Sequence, residues 1–137
     1  MNYETRDTLG MYKESLDGPG PHLMGANTLV GNDVYNHKEE NLGDIKEIML
    51  DATNGKVSYA VLSFGAFLGM GAKLFAVPWS ALTLDTNNKR FVLNIEKDRL
   101  SDAPGFDKDK WPNMADENWS KDVDSYYDSA KPGIFPG

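Results

Sequence analysis

The chain contains no cysteine among its 137 residues. Disulfide bonds, thiolate metal sites and cysteine-based catalysis are therefore excluded. Histidine is also scarce, and both copies, His22 and His37, fall in polar segments with turn-forming residues. A metal centre or a catalytic triad needs several side chains that converge on a rigid support. We therefore assign no catalytic, cofactor-binding or metal-ligating residue, and we expect a protein that is not an enzyme and holds no cofactor.

Long hydrophobic runs and positive charge are lacking too. The most apolar stretch is interrupted by Lys73, by glycines and by Pro78, so it falls short of the roughly 18 apolar residues of a membrane-spanning helix. The N-terminal sequence MNYETRDTLGMYKE has no basic segment followed by an apolar one, so no signal peptide is expected. These features predict a cytoplasmic protein without a membrane span, or a periplasmic one if a leader has been removed.

The charge balance bears on the partner. The chain has 14 basic and 21 acidic residues, a net charge of −7. A negative protein is repelled by the phosphate backbone, so we expect no nucleic-acid partner.

What the chain does contain is a dense apolar, β-forming stretch from Lys56 to Leu84. Val57–Phe64 is apolar at both parities, which indicates a strand covered on both faces. Gly65, Gly69 and Gly71 then interrupt the chain before a second strand, 73–77, which Pro78 closes. Because proline has no N–H, that strand must end there or lie at a sheet edge, and the following turn is expected to place Trp79 on the sheet.

Further short strands surround this stretch. The segments 28–35, 42–50 and 90–95 have extended patterns, the first with a Gly-Asn interruption. In 42–50 the apolar parity changes between Ile45 and Ile48, which indicates a β-bulge near Lys46 and Glu47, although a helical turn fits the same spacing. Asn54-Gly55 between two apolar runs favours a hairpin and hence the strand. The pattern is that of a small barrel or curled sheet of five to six antiparallel strands.

The C-terminal segment predicts a helix over about 117–128. Asp116 is available as N-cap, and Trp119, Val123, Tyr126 and Tyr127 share one face. This stripe is expected to cover an open side of the barrel, or else to bind a partner. The resulting domain map is a flexible tail over 1–26, a barrel over 27–97, an extension with the helix over 98–130 and a loose end over 131–137.

The ordered motifs resemble the PRC-barrel family. They are LGDI at 42–45, the NGK turn at 54–56, YAVLSFG at 59–65, the glycine loop, and VPW at 77–79. This small domain is shared by the cytoplasmic part of the photosynthetic reaction-centre H subunit and the C-terminal part of the ribosome-maturation factor RimM. The segment from Leu100 to Tyr127 is similar to the continuation in small stand-alone bacterial members. The resemblance implies a mainly β fold, a small antiparallel PRC-type β-barrel of five to six strands with a C-terminal α-helix.

The same resemblance implies docking and assembly rather than chemistry. Apolar residues in a glycine loop indicate a binding surface, so the candidate partner-binding residues are Phe67, Leu68, Met70 and Trp79. The partner is expected to be another protein or a second copy in a homodimer, docked through the loop and a barrel edge. The alternatives are that the loop residues are core, that the barrel mouth binds or hydrolyses a small molecule or binds an ion, and that the protein assists photosynthetic or ribosome assembly.

Overall fold

The computed structural model describes residues 24–65 and 73–130. In this part of the chain a six-stranded, curled sheet carries two short helices and one longer C-terminal helix. The strands are β1 (Asp33–Tyr35), β2 (Asn41–Asp51), β3 (Lys56–Phe64), β4 (Lys73–Pro78), β5 (Leu82–Asp85) and β6 (Arg90–Leu93). The helices are α1 (Ala26–Leu29), α2 (Lys97–Ser101) and α3 (Glu117–Tyr126), with 3-10 turns at Trp79–Ala81 and Asp128–Ala130. The predicted mainly β fold with a C-terminal helix is confirmed.

The strand order is β4-β3-β2-β1-β6-β5, so β4 and β5 form the two edges of the sheet. Four of the neighbouring pairs are antiparallel, as predicted, but β1 runs parallel to β6, with Val34 beside Phe91 and Tyr35 beside Val92. The purely antiparallel pairing was therefore wrong at this one junction. Strands this far apart in sequence are not joined by a hairpin, so no turn signal specifies their relative direction.

β1 is shorter than the pattern predicted. Thr28 and Leu29 lie in α1, where backbone hydrogen bonds return to Gly25 and Ala26, and only Asp33–Tyr35 pairs as a strand. Gly31 separates the two elements with a φ of 91°. Local hydrogen bonding of the buried Leu29 thus prevails over the extended propensity of this short segment.

The central hairpin follows the predictions closely. The register of β2 against β3 shifts between Ile45 and Glu47, so Lys46 is the bulged residue, and the helical alternative for this segment is excluded. The loop between the strands is 52–55, and within it only Gly55 has a positive φ, of 74°. The carboxylate of Asp51 organises this loop by accepting hydrogen bonds from the N–H and hydroxyl of Thr53 and from the side chain of Asn54.

The core lies on both sides of β3, because Tyr59, Ala60, Val61 and Leu62 are all buried. Ala60 and Leu62 share one face of β3 and lie opposite Val77 and Phe75 of β4. On the other face Tyr59 meets Trp119 of α3 at a ring-centroid distance of 5.3 Å, and α3 packs against β4. The helical stripe thus covers one face of the sheet. Most of the predicted tail over 1–26 and all of the predicted loose end over 131–137 lie outside the described residues.

Candidate interaction surface

The two edge strands differ in how far they are covered. The outer side of β4 forms an antiparallel bridge between Leu74 and Phe106, in which the Leu74 N–H donates to the Phe106 carbonyl at 2.9 Å and the reverse bond measures 2.8 Å. β5 pairs with β6 on one side, and no second strand joins it from the described ranges. Since an edge strand presents unpaired backbone donors and acceptors, β5 is the open edge of this sheet.

A solvent-facing cavity of about 420 Å³ lies beside this edge. We call it the β5 groove, and its lining residues are His37, Thr83, Leu84, Asp85, Thr86, Asn87 and Val92. His37 belongs to the turn between β1 and β2, whereas the other residues belong to β5, β6 and their connection. The groove is therefore formed by the β5–β6 hairpin together with a wall from the β1–β2 turn.

Arg90 ties the two walls of the β5 groove together. Its Nη1 and Nη2 atoms contact the carboxylate oxygens of Glu39 at 2.6 and 2.8 Å, and its Nε lies 3.4 Å from an oxygen of Asp85. The guanidinium carbon also lies 4.7 Å from the ring centroid of Tyr35. A planar guanidinium suits this bidentate and stacked arrangement, so Arg90 joins the β1–β2 turn to the β5–β6 hairpin.

The carboxylates of this cluster are held in their charged form. The pKa of Glu39 lies below its ordinary value, chiefly because Arg90 donates hydrogen bonds to it. The pKa of Asp85 is also lowered, first by the hydrogen bond from the Asn88 side chain at 2.7 Å and then by Arg90. The pKa of Arg90 is raised by the same hydrogen bonds. A general base needs a pKa near the working pH, so neither carboxylate is suited to proton transfer.

The β1–β2 turn owes its shape to Asn36, which is buried. Its Oδ1 accepts hydrogen bonds from the backbone N–H groups of Lys38 and Glu40, each at 3.0 Å. Its Nδ2 donates to the carbonyl oxygen of Ile95 at 3.1 Å, across the sheet. The sequence predicted only a polar turn here, since an asparagine that shapes a turn and one exposed to solvent have the same local pattern.

Trp79 of the predicted site lies at the corner after β4, half-buried. Its ring meets that of Phe91 edge-on at a centroid distance of 5.7 Å, and it packs against the core cluster. The predicted placement of this tryptophan on the sheet is confirmed, and its partner-binding role stays a prediction. Phe67, Leu68 and Met70 lie outside the described residues, as does His22.

The described interior is filled by side chains. The buried core is mostly apolar and includes Leu42, Ile45, Leu62, Phe75 and Phe91, while the buried polar residues in the described parts of the chain are Thr28, Asn32 and Asn36. No group of three or more histidines and carboxylates that could hold a metal ion occurs within the ranges 24–65 and 73–130. No carboxylate is buried among the residues that the structure describes, and ligand binding through the barrel mouth stays a prediction.

Two large apolar side chains are exposed among the residues that the structure describes, and neither was among the predicted binding residues. Leu50, at the end of β2, is 61% exposed, and Trp111 is 43% exposed. Trp111 rests against Phe106 at a centroid distance of 5.0 Å. Leu50 lies beside the Asp51 turn, where the hairpin extends past the neighbouring strands. This position next to a turn was the sequence signal that could have indicated its exposure.

No helix in the described parts of the chain is long and apolar enough to cross a membrane. Comparison with curated proteins finds no match. The family model of the PRC-barrel domain matches residues 21–100, which is more than half of the chain and contains all six strands. The ordered motifs, the curled six-stranded sheet and this match agree, and the chain therefore belongs to the PRC-barrel family.

Proposed function

We propose that this chain is a non-enzymatic protein-interaction module that docks a partner along the open edge of β5 and the adjoining β5 groove. The observation that carries the proposal is the difference between the sheet edges, since β4 is bridged by Phe106 whereas β5 has a ladder on one side among the described residues. An extended segment that adds to a sheet edge gains backbone hydrogen bonds, and adjoining pockets select its side chains.

The surroundings of β5 support this role. Thr83 is exposed at the middle of the strand, and Leu84 and Val92 add half-buried apolar surface to the β5 groove. The ion pairs of Arg90 with Glu39 and Asp85 fix both walls before a partner arrives. A preorganised surface loses less conformational entropy on binding than a loose one.

The non-enzymatic part of the proposal is supported by the contacts of two carboxylates. Asp85, which lines the groove, and Glu39, on the β1–β2 turn, are engaged by Arg90 and Asn88 and have lowered pKa values. The process that this docking serves, whether photosynthetic assembly, ribosome assembly or another, stays a prediction, as does the contribution of Phe67, Leu68 and Met70.

Site-specific photo-crosslinking tests the β5 surface. A photoreactive residue is introduced at Thr83 in the full chain expressed in its native host, and in a matched variant at Lys121, which is exposed on α3. We expect one dominant adduct from position 83 and none of the same mass from position 121. An adduct at twice the chain mass identifies a second copy as the partner. No adduct from position 83, or equal adducts from both positions, would overturn the proposal.

A further inference from the structure

The C-terminal extension touches the barrel at the outer side of β4. The Leu74–Phe106 bridge is formed by a reciprocal pair of backbone hydrogen bonds, with lengths of 2.9 and 2.8 Å. Phe106 lies beyond residue 100, where the family match ends. The segment that covers this edge is therefore an addition to the matched domain.

The fit between this segment and β4 is close. A Cβ atom on Gly105 would lie 2.6 Å from Cε of Lys73, 2.9 Å from Cε1 of Phe75 and 3.0 Å from the Leu74 carbonyl oxygen. Only a residue without a side chain allows the backbone to approach the strand this closely. Ala103 is buried at the start of the segment, and the Phe106 ring is backed by Trp111.

β4, the strand beneath this segment, is well suited to pairing with the same strand of a second copy. β4 reads KLFAVP, and its four central residues, Leu74, Phe75, Ala76 and Val77, are apolar and at most 4% exposed. Lys73 is its one charged residue. An apolar edge strand with little charge associates readily with a like strand. In an antiparallel pair of two copies centred on Phe75, Lys73 would face Val77, so no like charges would oppose each other.

We propose that residues 103–107 form an edge cap that keeps β4 from pairing with β4 of a second copy. The cap occupies the outer side of β4 by mimicking a short antiparallel strand. It also makes the two edges of the sheet unequal, because β4 is closed and β5 is left open.

Two substitutions at one position separate the backbone bridge from the side chain. Phe106→Pro removes the N–H that bonds to Leu74, whereas Phe106→Ala keeps both backbone hydrogen bonds, and both lose the contact with Trp111. Analytical ultracentrifugation over a range of protein concentrations measures self-association, and far-UV circular dichroism verifies folding. We expect the Pro variant to have an association constant about tenfold higher than that of the Ala variant, because the competing intramolecular bridge is weakened. A folded Pro variant that sediments like the Ala variant at every concentration would overturn the proposal.

A disulfide lock provides a second measurement that does not depend on the Pro variant. The chain has no cysteine, so Leu74→Cys combined with Phe106→Cys introduces a single pair at opposed strand positions, a separation suited to a disulfide. Under mild heating the reduced form is expected to associate and the oxidised form to stay at its starting mass. Equal association of the two forms would contradict the cap. Neither result bears on β5, which is the opposite edge of the sheet.

Discussion

The hydroxyl of Tyr127 is buried, and no hydrogen-bond partner for it lies among the described residues. Burial also raises the pKa of this phenol above its ordinary value. A buried polar atom without a partner is destabilising, so Tyr127→Phe is expected to increase the free energy of unfolding by about 1 kcal/mol. Urea denaturation of the variant and the wild type measures this difference.

The neighbouring Tyr126 provides the matched control for this substitution. Its hydroxyl donates a hydrogen bond to the carbonyl oxygen of Arg99, so Tyr126→Phe should lower the stability or leave it unchanged. If Tyr127→Phe instead destabilised the protein, the hydroxyl would have a partner and the interpretation would be wrong.

Glu39 links stability to pH at the residue scale. Its pKa is lowered in the folded state, so the unfolded chain binds more protons as the pH falls below about 4.3, the usual glutamate pKa. The stability that the contact with Arg90 provides is therefore present above that pH and is lost as the pH falls through the folded pKa. Between neutral and acid pH, we expect the urea midpoint of Glu39→Gln to fall less than that of the wild type.

Glu47→Gln is the control for the acid series, because it removes the same charge from an exposed carboxylate outside the described ion pairs. It therefore controls for the loss of one carboxylate without the loss of an ion pair. The Glu39 effect should also shrink in high salt, since the carboxylate is exposed and screened. Identical pH slopes for the Glu39 variant and the wild type would show that the ion pair contributes nothing to stability.

At the scale of elements, β2 depends on Gly43 for its course beside β3. Its φ is 103°, and an added Cβ would lie 2.1 Å from the carbonyl oxygen of Ser63. Gly55 also has a positive φ, of 74°, but a Cβ added to it would point into open space, with nothing within 4 Å. Both glycines therefore adopt a positive φ, but only Gly43 also lacks room for a Cβ atom.

Gly43→Ala and Gly55→Ala separate these two contributions. We expect Gly55→Ala to cost about 1–2 kcal/mol from the positive φ, and Gly43→Ala to cost about 3 kcal/mol or more because backbone atoms must also move. Thermal and urea unfolding of both variants measure the difference. If both substitutions lowered the free energy of unfolding equally, β2 and β3 would be able to move apart at Gly43 without a further cost.

The extent to which these elements could be predicted depends on the range of their interactions. The bulge at Lys46 followed from the parity change between Ile45 and Ile48 and is confirmed, as is the helix that begins after Asp116. Asp116 caps that helix by accepting hydrogen bonds from the N–H groups of Asn118 and Trp119. The strand expected from Thr28 was wrong at Thr28 and Leu29, which form α1 through local backbone hydrogen bonds to Gly25.

At the scale of the whole molecule, the barrel and the extension share one core. The buried cluster contains Phe75 and Phe91 of the sheet together with Leu100, Val123 and Tyr127 of the extension. Units that bury a common core unfold together. We therefore expect barrel and extension to unfold in a single cooperative transition.

Single-tryptophan variants report on the two parts separately. One variant keeps Trp79 in the barrel, the other keeps Trp119 in the extension, and the remaining tryptophans become phenylalanine. In each variant the fluorescence transition should coincide with the far-UV circular dichroism transition in urea. A Trp119 signal that changes at a lower urea concentration than the dichroism of the same variant would show that the extension detaches first.

The candidate surface was the least predictable part of the molecule. A barrel edge was expected to bind, and Pro78 indicated that β4 ends there or lies at an edge, but no local pattern shows which edge is covered by another segment. The difference arises from Phe106, which follows Leu74 by more than thirty positions and bridges to it. Arg90 and Asn36 likewise have ordinary sequence neighbours, and their roles come from contacts with Glu39 and Ile95.

The order of residues alone was enough to specify the mainly β class, the central hairpin, the bulge and the capped helix, because each depends on alternation, turn chemistry or capping within a few residues. The family was indicated separately, by the resemblance of the ordered motifs, and is shown by the match over residues 21–100. The parallel β1–β6 junction, the closed and open edges, and the ion pairs of Arg90 became visible only in the folded chain. These features join segments that are distant along the chain, and they are set by which surfaces meet when the sheet curls rather than by any local preference.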